Sequence, residues 1–519
     1  MAEKKAIEPK AKSRFDTLST GRQTALRRAR ENSDLTIPGL VPQDGQDSNS
    51  SFSQPYQSLG ARGVNNLASY LLVTQFPPDQ HFARLSVHED AAEELGEKLT
   101  EVKTALSRIS AKAHLLLETT AARPVMMEAL RHLIVAGNAL LNVPLEGTPR
   151  IFRLDQYVVL RDERGRMLEA VIHERVYPSA LDEETLTACK VEVKPGEENT
   201  QLVDLYTHVF REGDQYRHYQ QINDHIVPNS EGASPMDAPA FIALRWQAVP
   251  GSDYGRAHVS EYVGDLMSLE DLSKSIIQFA SLASRVVYLV EPNSMTDIEE
   301  LNEAENGDYV HGYADKVKAL QMEKYADFQV ASSVAERLEL RLSHSFLLQS
   351  GTVRNAERVT AEEIRAMAQE LENVLGGTYT VLSAELQLPL IKRYLYILQR
   401  SGQAPNLPET IKPTIVTGFE ALGRNHAATR LNRWLDDMKA RYGEQILAQI
   451  TDPTEVGRRL ADSYGIDAVD DLIKSPEVQQ EEQQAAASQQ AAMSAVPQVA
   501  KGVMDGMVAE GGPPIPTGA

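Results

Sequence analysis

Apolar positions recur along the chain with two different periods, and the switches between them divide it. Val64, Leu67, Leu71 and Leu72 are spaced by threes and fours behind Gly60 and Gly63, which predicts a helix. The same spacing predicts helices over 91–119 and 124–141, the second with Pro124 in its first turn. From Arg150 to Trp246 the period falls to two. IFRLDQYVVLRDERGRMLEAVIHERV reads as strand, DERG turn, strand, and VDLYTHVFREGDQYRHYQQIND repeats the pattern, so a β-rich block is expected.

Beyond Tyr254 and Gly255 the helical period returns through Tyr262, Leu266, Leu269, Leu272, Ile276, Phe279, Ala283 and Val286. About 30 residues make a rod of roughly 45 Å, which needs neighbours along its length. Residues 286–325 break the period with VVYLVEPNS and NGDYVHGYAD, as a small β-containing excursion would, and a second helix follows through Val330, Val334, Leu338, Leu342 and Phe346. Two long helices around a compact insertion form a hairpin with a head. QSGTVRNAERV offers no helical face. Thr360 and Glu363 then have capping-box spacing and open a helix through Ile364, Met367, Leu371, Val374 and Leu375. Gly376 and Gly377 interrupt that helix, and at about 1 kcal/mol each against Ala they are expected to mark a kink. Residues 31–58 read as an irregular connector and 401–475 as helices with short loops. The Gln/Ala-rich, then Gly/Pro-rich stretch from Pro476 is expected to be disordered. The fold class is mixed α+β, mainly helical.

Composition narrows the class. A chain of 519 residues, 42% hydrophobic and 24% charged, is core-forming and too long for one compact core, so about three domain-sized units or one elongated subunit are expected. The uncharged apolar stretch from Leu133 to Leu145 falls short of the roughly 20 residues a bilayer span needs, so no membrane span is expected. MAEKKAIEPKAKSRF lacks an apolar signal core, which argues against secretion. Cys189 is the only cysteine, so an intrachain disulfide and a Cys-based zinc cage are both impossible.

Charge adds two local features. The net charge of -21 argues against a protein that coats DNA, since nonspecific DNA affinity comes from Lys and Arg displacing counterions. Yet residues 1–30 hold nine basic side chains against three acidic ones. That stretch reads either as a solvated basic helix or arm, or as a contact for nucleic acid or an acidic partner. From Glu291 to Asp315 eight acids appear with no Lys or Arg, as a solvated loop allows.

Catalytic signatures are missing. The chain has no GxxxxGK[ST], HExxH, GxSxG or GxGxxG, and its twelve histidines lack i, i+4 metal spacing. His218 with His225, and His311 with His344, read as surface or packing histidines. No catalytic residue, metal or cofactor is expected, and a chain of this kind more often builds something than converts something.

Five segments in colinear order carry a specific likeness: QSLGARGVNNLASYLL (57–72), LIVAGNALL (133–141), DYGRAHVSEYVGDLMSLEDL (253–272), RVTAEEIRAMAQELENVLGGTYTVLSAELQLPLI (358–391) and TGFEALGR (417–424). On these, the chain closely resembles the portal, or head-to-tail connector, proteins of short-tailed bacteriophages of the autographivirus type. The resemblance implies a portal-type ring subunit in a homododecamer at one capsid vertex of the virion, assembled in the host cytoplasm. It also implies a conduit for double-stranded DNA, filled by a separate terminase large subunit and later emptied, with no cofactor and no enzymatic step of its own. Further implied partners are the major capsid and scaffolding proteins, internal core proteins and a tail adaptor protein.

Mapped on this chain, the resemblance implies a basic N-terminal arm and connector (1–55), a wing of helices and then the β-rich block (56–255) and a first stem helix (256–285). A clip (286–325), a second stem helix (326–348) and a tunnel loop (349–359) come next. A kinked wing-to-crown helix (360–400), a crown (401–475) and a disordered tail (476–519) complete it. The tunnel-loop cations Arg354 and Arg358 are the candidate DNA contacts, although Arg358 pairing with Glu362 across one helical turn is an equal reading. Glu299, Glu300, Glu303 and Glu305 are the candidate partner-docking acids of the clip, and Gly376 and Gly377 the candidate kink. Two alternatives are another ring-forming tail adaptor or tube component and a carboxylate-based hydrolase, the last requiring a pocket of paired acids in one protomer.

Overall fold

The computed structural model describes residues 8–46, 50–77, 81–87, 99–192, 201–283, 288–290, 299, 303–305, 309, 317–319, 325–348, 375, 377–408, 410–415, 419–443, 446–447 and 450–464. These fall in two units, one of Met1–Leu85 and Ile109–Glu420, the other of Ser86–Arg108 and Ala421–Ala519.

The first unit opens with helix α1 (Ala11–Asp34) and, after an irregular segment, α2 (Leu59–Gln75). Strand β1 (Ala83–Val87) and α3 (Leu99–Thr119), whose residues divide between the two units, come next in the chain, and α4 (Ala122–Ala136) and β2 (Asn138–Asn142) follow in the first. The sequence pattern predicts helix through Leu141, but the helix stops at Gly137. This residue has φ +73°, and a Cβ there would lie 2.6 Å from the backbone nitrogen of Ala257. A left-handed glycine ends α4, and the same apolar run continues as a buried strand. β2 pairs antiparallel with β10 (Phe241–Arg245), Ala139 opposite Leu244 and Leu141 opposite Ile242. It also pairs with β3 (Arg150–Phe152).

The β-rich block builds a second sheet from β4 (Tyr157–Arg161), β5 (Met167–Val176), β6 (Val203–Glu212), β7 (Gln215–Ile222) and β8 (His225–Ile226), hydrogen-bonded in that order. β9 (Gly232–Pro235) adds to β7. The DERG turn closes because Asp162 accepts hydrogen bonds from the backbone N–H groups of Arg164 and Arg166, at 2.9 and 2.8 Å, while Gly165 takes φ +79°. A short helix, α5 (Glu183–Ala188), is capped by the Asp182 carboxylate accepting from Thr185 N–H.

α1 docks on this sheet rather than standing in solvent as an arm. The buried Arg22 guanidinium donates to the carbonyls of Leu154, Asp155 and Tyr157. Arg14 makes two hydrogen bonds to Glu169, and Phe15 packs edge-on against His173 and Tyr206. The backbone N–H of Ala11 donates to Gln221 Oε1 at 2.8 Å. Three of the nine N-terminal basic residues therefore fasten the chain internally, with Arg30 closing on Pro42 O and Asp44.

The main core lies where α2, α4, β2 and β10 meet α6 (Val259–Ala283), α7 (Tyr325–Ser345) and α9 (Leu388–Arg400), with Leu67, Leu71, Leu130, Leu266, Phe346 and Leu390 all buried. Short strands β11 (Tyr288–Val290) and β12 (Val317–Ala319) lie between α6 and α7 in sequence, and α8 (Gly377–Leu382) leads into a π-helical turn, Ser383–Gln387, before α9. The region 401–475, expected as helices with short loops, also contains a strand, β13 (Ile411–Ile415), paired with β1. In the second unit α10 (Phe419–Tyr442) and α11 (Pro453–Tyr464) follow. The tail from 476 lies outside the described residues.

Candidate functional site: a long helical hairpin and its root

Asp265 on α6 meets Arg341 on α7 at 2.6 Å, and the Phe279 and Phe328 rings stack at 5.0 Å, so the two helices run antiparallel. Their facing positions follow the three-and-four spacing of the sequence. Leu266 and Leu269 on α6, and Ala335, Leu338 and Leu342 on α7, are buried. Farther out, Leu272, Ile276 and Phe279 are only half-buried, as are Val334 and Phe328. Burial thus tapers along the hairpin. β11 and β12, which lie between its two helices in sequence, pair antiparallel, Tyr288 opposite Ala319 and Val290 opposite Val317.

The root of the hairpin is built from distant parts of the sequence. His258, just before α6, is buried among the rings of Trp246, Tyr262 and Phe346 and donates through Nε2 to Ser345 O at 3.1 Å. Burial pushes its pKa down to about 4, against the raising effect of that hydrogen bond. On α2, Asn66 donates to Phe346 O and Leu347 O. Gly63 leaves room for the Phe346 ring, whose Cγ would stand 2.6 Å from a Cβ at that position. Leu347 takes φ +57° and closes the end of α7. The Glu270 carboxylate accepts the backbone N–H groups of Tyr56 and Gln57, at 2.9 and 3.1 Å, tying α6 to the segment that enters α2.

A second brace involves the π-helical turn. Glu385 accepts from Arg245 N at 3.2 Å and Arg245 Nη2 at 2.6 Å, while Gln387 donates to Gln75 O. One extra residue per turn gives these side chains directions a regular helix would not. Gly63, Tyr262 and Phe346 belong to helical patterns in the sequence, but Asn66, His258, Glu270, Glu385 and Gln387 do not stand out, because ordinary residue types far apart along the chain carry no local signal.

Of the residues singled out by sequence, Glu299, Glu303 and Glu305 are exposed, and Glu300 lies outside the described residues. Arg354, Arg358 and Gly376 also lie outside them. Gly377 is the exposed first residue of α8. By sequence, α6 carries Glu261, Asp265, Glu270 and Asp271 against Lys274, and α7 carries Asp327, Glu336 and Glu339 against Arg337 and Arg341, so both helices are net acidic. Among the described residues, no group of three or more His, Cys, Asp or Glu side chains is placed to hold a metal ion. No helix there is long and apolar enough to cross a membrane.

The family described as bacteriophage head to tail connecting protein matches residues 8–469. The portal protein of Escherichia phage T7 is 38% identical over 500 residues, covering 93% of this chain and 92% of its own. That of Enterobacteria phage T3 is 38% identical over 483 residues, covering 91% and 90%. That of Pseudomonas phage phiKMV is 33% identical over 411 residues, covering 77% and 80%. Among solved structures, the neck of an empty GTA particle computed with C6 symmetry aligns over 85% of this chain and 99% of that one, at 14% identity and a TM-score of 0.37. The extent and level of the sequence matches lead to one conclusion: the chain belongs to the bacteriophage head-to-tail connecting proteins, the portal proteins of short-tailed phages.

Proposed function

We propose that twelve copies of this chain form a ring at one capsid vertex and that double-stranded DNA passes through it, driven inward by a separate terminase and later ejected. The observation that carries the reading is the antiparallel pair α6 and α7, two net-acidic helices rooted in the main core. A wall with an excess of carboxylates repels phosphates and holds DNA in no deep electrostatic well, which suits passage rather than storage. In this reading α6 and α7 are the stem, residues 286–325 the clip that docks terminase and then the tail adaptor, and 349–359 the tunnel loop. The β-rich block belongs to the wing, and residues 401–475 to the crown. Capsid, scaffolding and internal core proteins are the remaining partners, and the chain performs no chemical step.

The test is particle imaging of the purified protein with its mass measured in solution. At 57.3 kDa per chain, a twelve-subunit ring has a mass of about 690 kDa and a central hole. A stable monomer or small dimer without a pore would overturn the proposal.

A further inference from the structure

The basic N-terminal stretch has two fates in the fold. Arg14, Arg22 and Arg30 point inward to fixed partners. Arg27 and Arg28, on the outer side of the same helix, are exposed and have no ion-pair partner among the described residues. Arg28 stands on the wall of a groove of about 520 Å³ between the second half of α1 and the segment entering α6. Arg256 lines the groove from that segment and is likewise exposed and without an ion-pair partner among the described residues. An apolar strip of Ala25, Val249 and Val263, each half-buried, also lines the groove, as do the already buried Ala29 and Ala136, and Glu31 is the one carboxylate in the lining.

This combination favours one kind of occupant. The chain has 73 acidic residues against 52 basic, so guanidinium groups left without a carboxylate are unexpected. Two cations at one groove also repel each other, and carboxylates arriving from outside would relieve both. The apolar strip needs side chains to cover it, which a phosphate backbone lacks. Glu31 further opposes a polyanion but tolerates a segment of mixed composition. The volume lies within the roughly 300–1,000 Å³ typical of pockets that hold a ligand-sized group. We propose that the groove between α1 and the root of α6 docks an acidic amphipathic segment of a partner protein, with carboxylates on Arg28 and Arg256 and apolar side chains on the Ala25 to Val263 strip.

The experiment measures binding of the full-length chain to three fluorescein-labelled probes: a 20-residue Glu/Leu/Ala amphipathic peptide, the same peptide with Gln for Glu, and a 20-base-pair DNA duplex. Variants are R28A/R256A and, as a control on α10, R433A, with thermal melts confirming that each is folded. The acidic peptide should bind the wild type and R433A alike, about tenfold more weakly to R28A/R256A, and more weakly with added salt. The Gln peptide should bind no better to the wild type than the acidic peptide does to R28A/R256A. Absence of acidic-peptide binding, equal binding across the variants, or equal binding of the Gln peptide overturns the proposal. Duplex DNA that displaces the peptide and loses its own binding in R28A/R256A would assign the groove to nucleic acid instead.

Discussion

Asn66 donates its side-chain amide to two consecutive carbonyls at the end of α7, Phe346 O at 3.1 Å and Leu347 O at 3.0 Å. The last carbonyls of a helix have no partner within it, and Leu347 leaves the helix in the left-handed region that a branched side chain adopts only under constraint. With His258 holding Ser345 O, three successive carbonyls are satisfied from two other parts of the chain. Asn66→Ala should therefore cost about 1–3 kcal/mol, the penalty for buried acceptors left unpaired. Asn66→Asp should cost at least as much, because a carboxylate faces carbonyl oxygens with nothing to donate. The urea midpoint should fall with an unchanged slope, and a wild-type midpoint in both variants would contradict the argument.

Acid should weaken the root. The His258 pKa is held at about 4, below the ordinary 6.5, so the unfolded chain binds a proton that the folded one excludes. The stability present at neutral pH is lost as pH falls from about 6.5 towards 4, at up to about 1.4 kcal/mol per pH unit for one site. Burial lowers His114 in the same way, to about 4, and His132 to about 3, so the effects add. His258→Gln, which keeps a donor for Ser345 O, should remove close to one proton from the uptake on unfolding between pH 4 and 6.5. An unchanged pH slope in that variant would show that His258 does not titrate there.

The N-terminal helix should depend on one carboxylate. Burial opposes ionisation of Glu169, but hydrogen bonds from Arg14 and His208 outweigh it and hold the pKa down at about 2. Its contribution is complete above the ordinary value near 4.5 and declines as pH falls towards 2. Glu169→Gln should cost about 1–2 kcal/mol, a figure reduced because Arg14 is partly exposed to solvent. Hydrogen exchange should accelerate first in the opening turns of α1, and unchanged protection there would mean that Arg22 and Phe15 suffice.

If residues 349–359 form the tunnel loop of the proposed ring, replacing Arg354 and Arg358 together by Ala should lower DNA packaging yield or retention while ring assembly is kept. Normal yields of full, stable heads from the double variant would leave the DNA-contact role without support.

If residues 286–325 form the proposed clip, neutralising Glu299, Glu300, Glu303 and Glu305 together should weaken binding of the proposed tail adaptor and flatten its salt dependence. Wild-type binding that is the same at low and high salt would argue against a charged docking surface.

Several elements were legible because their causes are local. Asp162 to Gly165 carries its turn chemistry within four residues, between strands that alternate. The hairpin helices repeat their apolar positions over many turns. The change at Gly137 was not legible, because LIVAGNALL has no polar face and suits a buried helix as well as a buried strand. β13 was hidden by Pro413 and by a partner strand far away in the chain. The N-terminal arginines could be counted from the sequence, but not their acceptors, since Glu169 and the carbonyls near Tyr157 belong to strands that fold beneath them. The root of the hairpin was invisible for the same reason: Asn66, His258 and Leu347 acquire their roles only when three separate segments meet.

The taper of burial along α6 and α7 has a mechanical side. A 25-residue helix is about 37 Å long, and its buried residues among those described, Val259, Leu266 and Leu269, lie in the half nearest the core. A beam fixed at one end carries its greatest bending moment at the fixture. Sideways force on the far ends of the helices therefore loads the core around Leu266 and Leu342 and the carbonyls held by Asn66 and His258, while the helices themselves swing as a stiff lever.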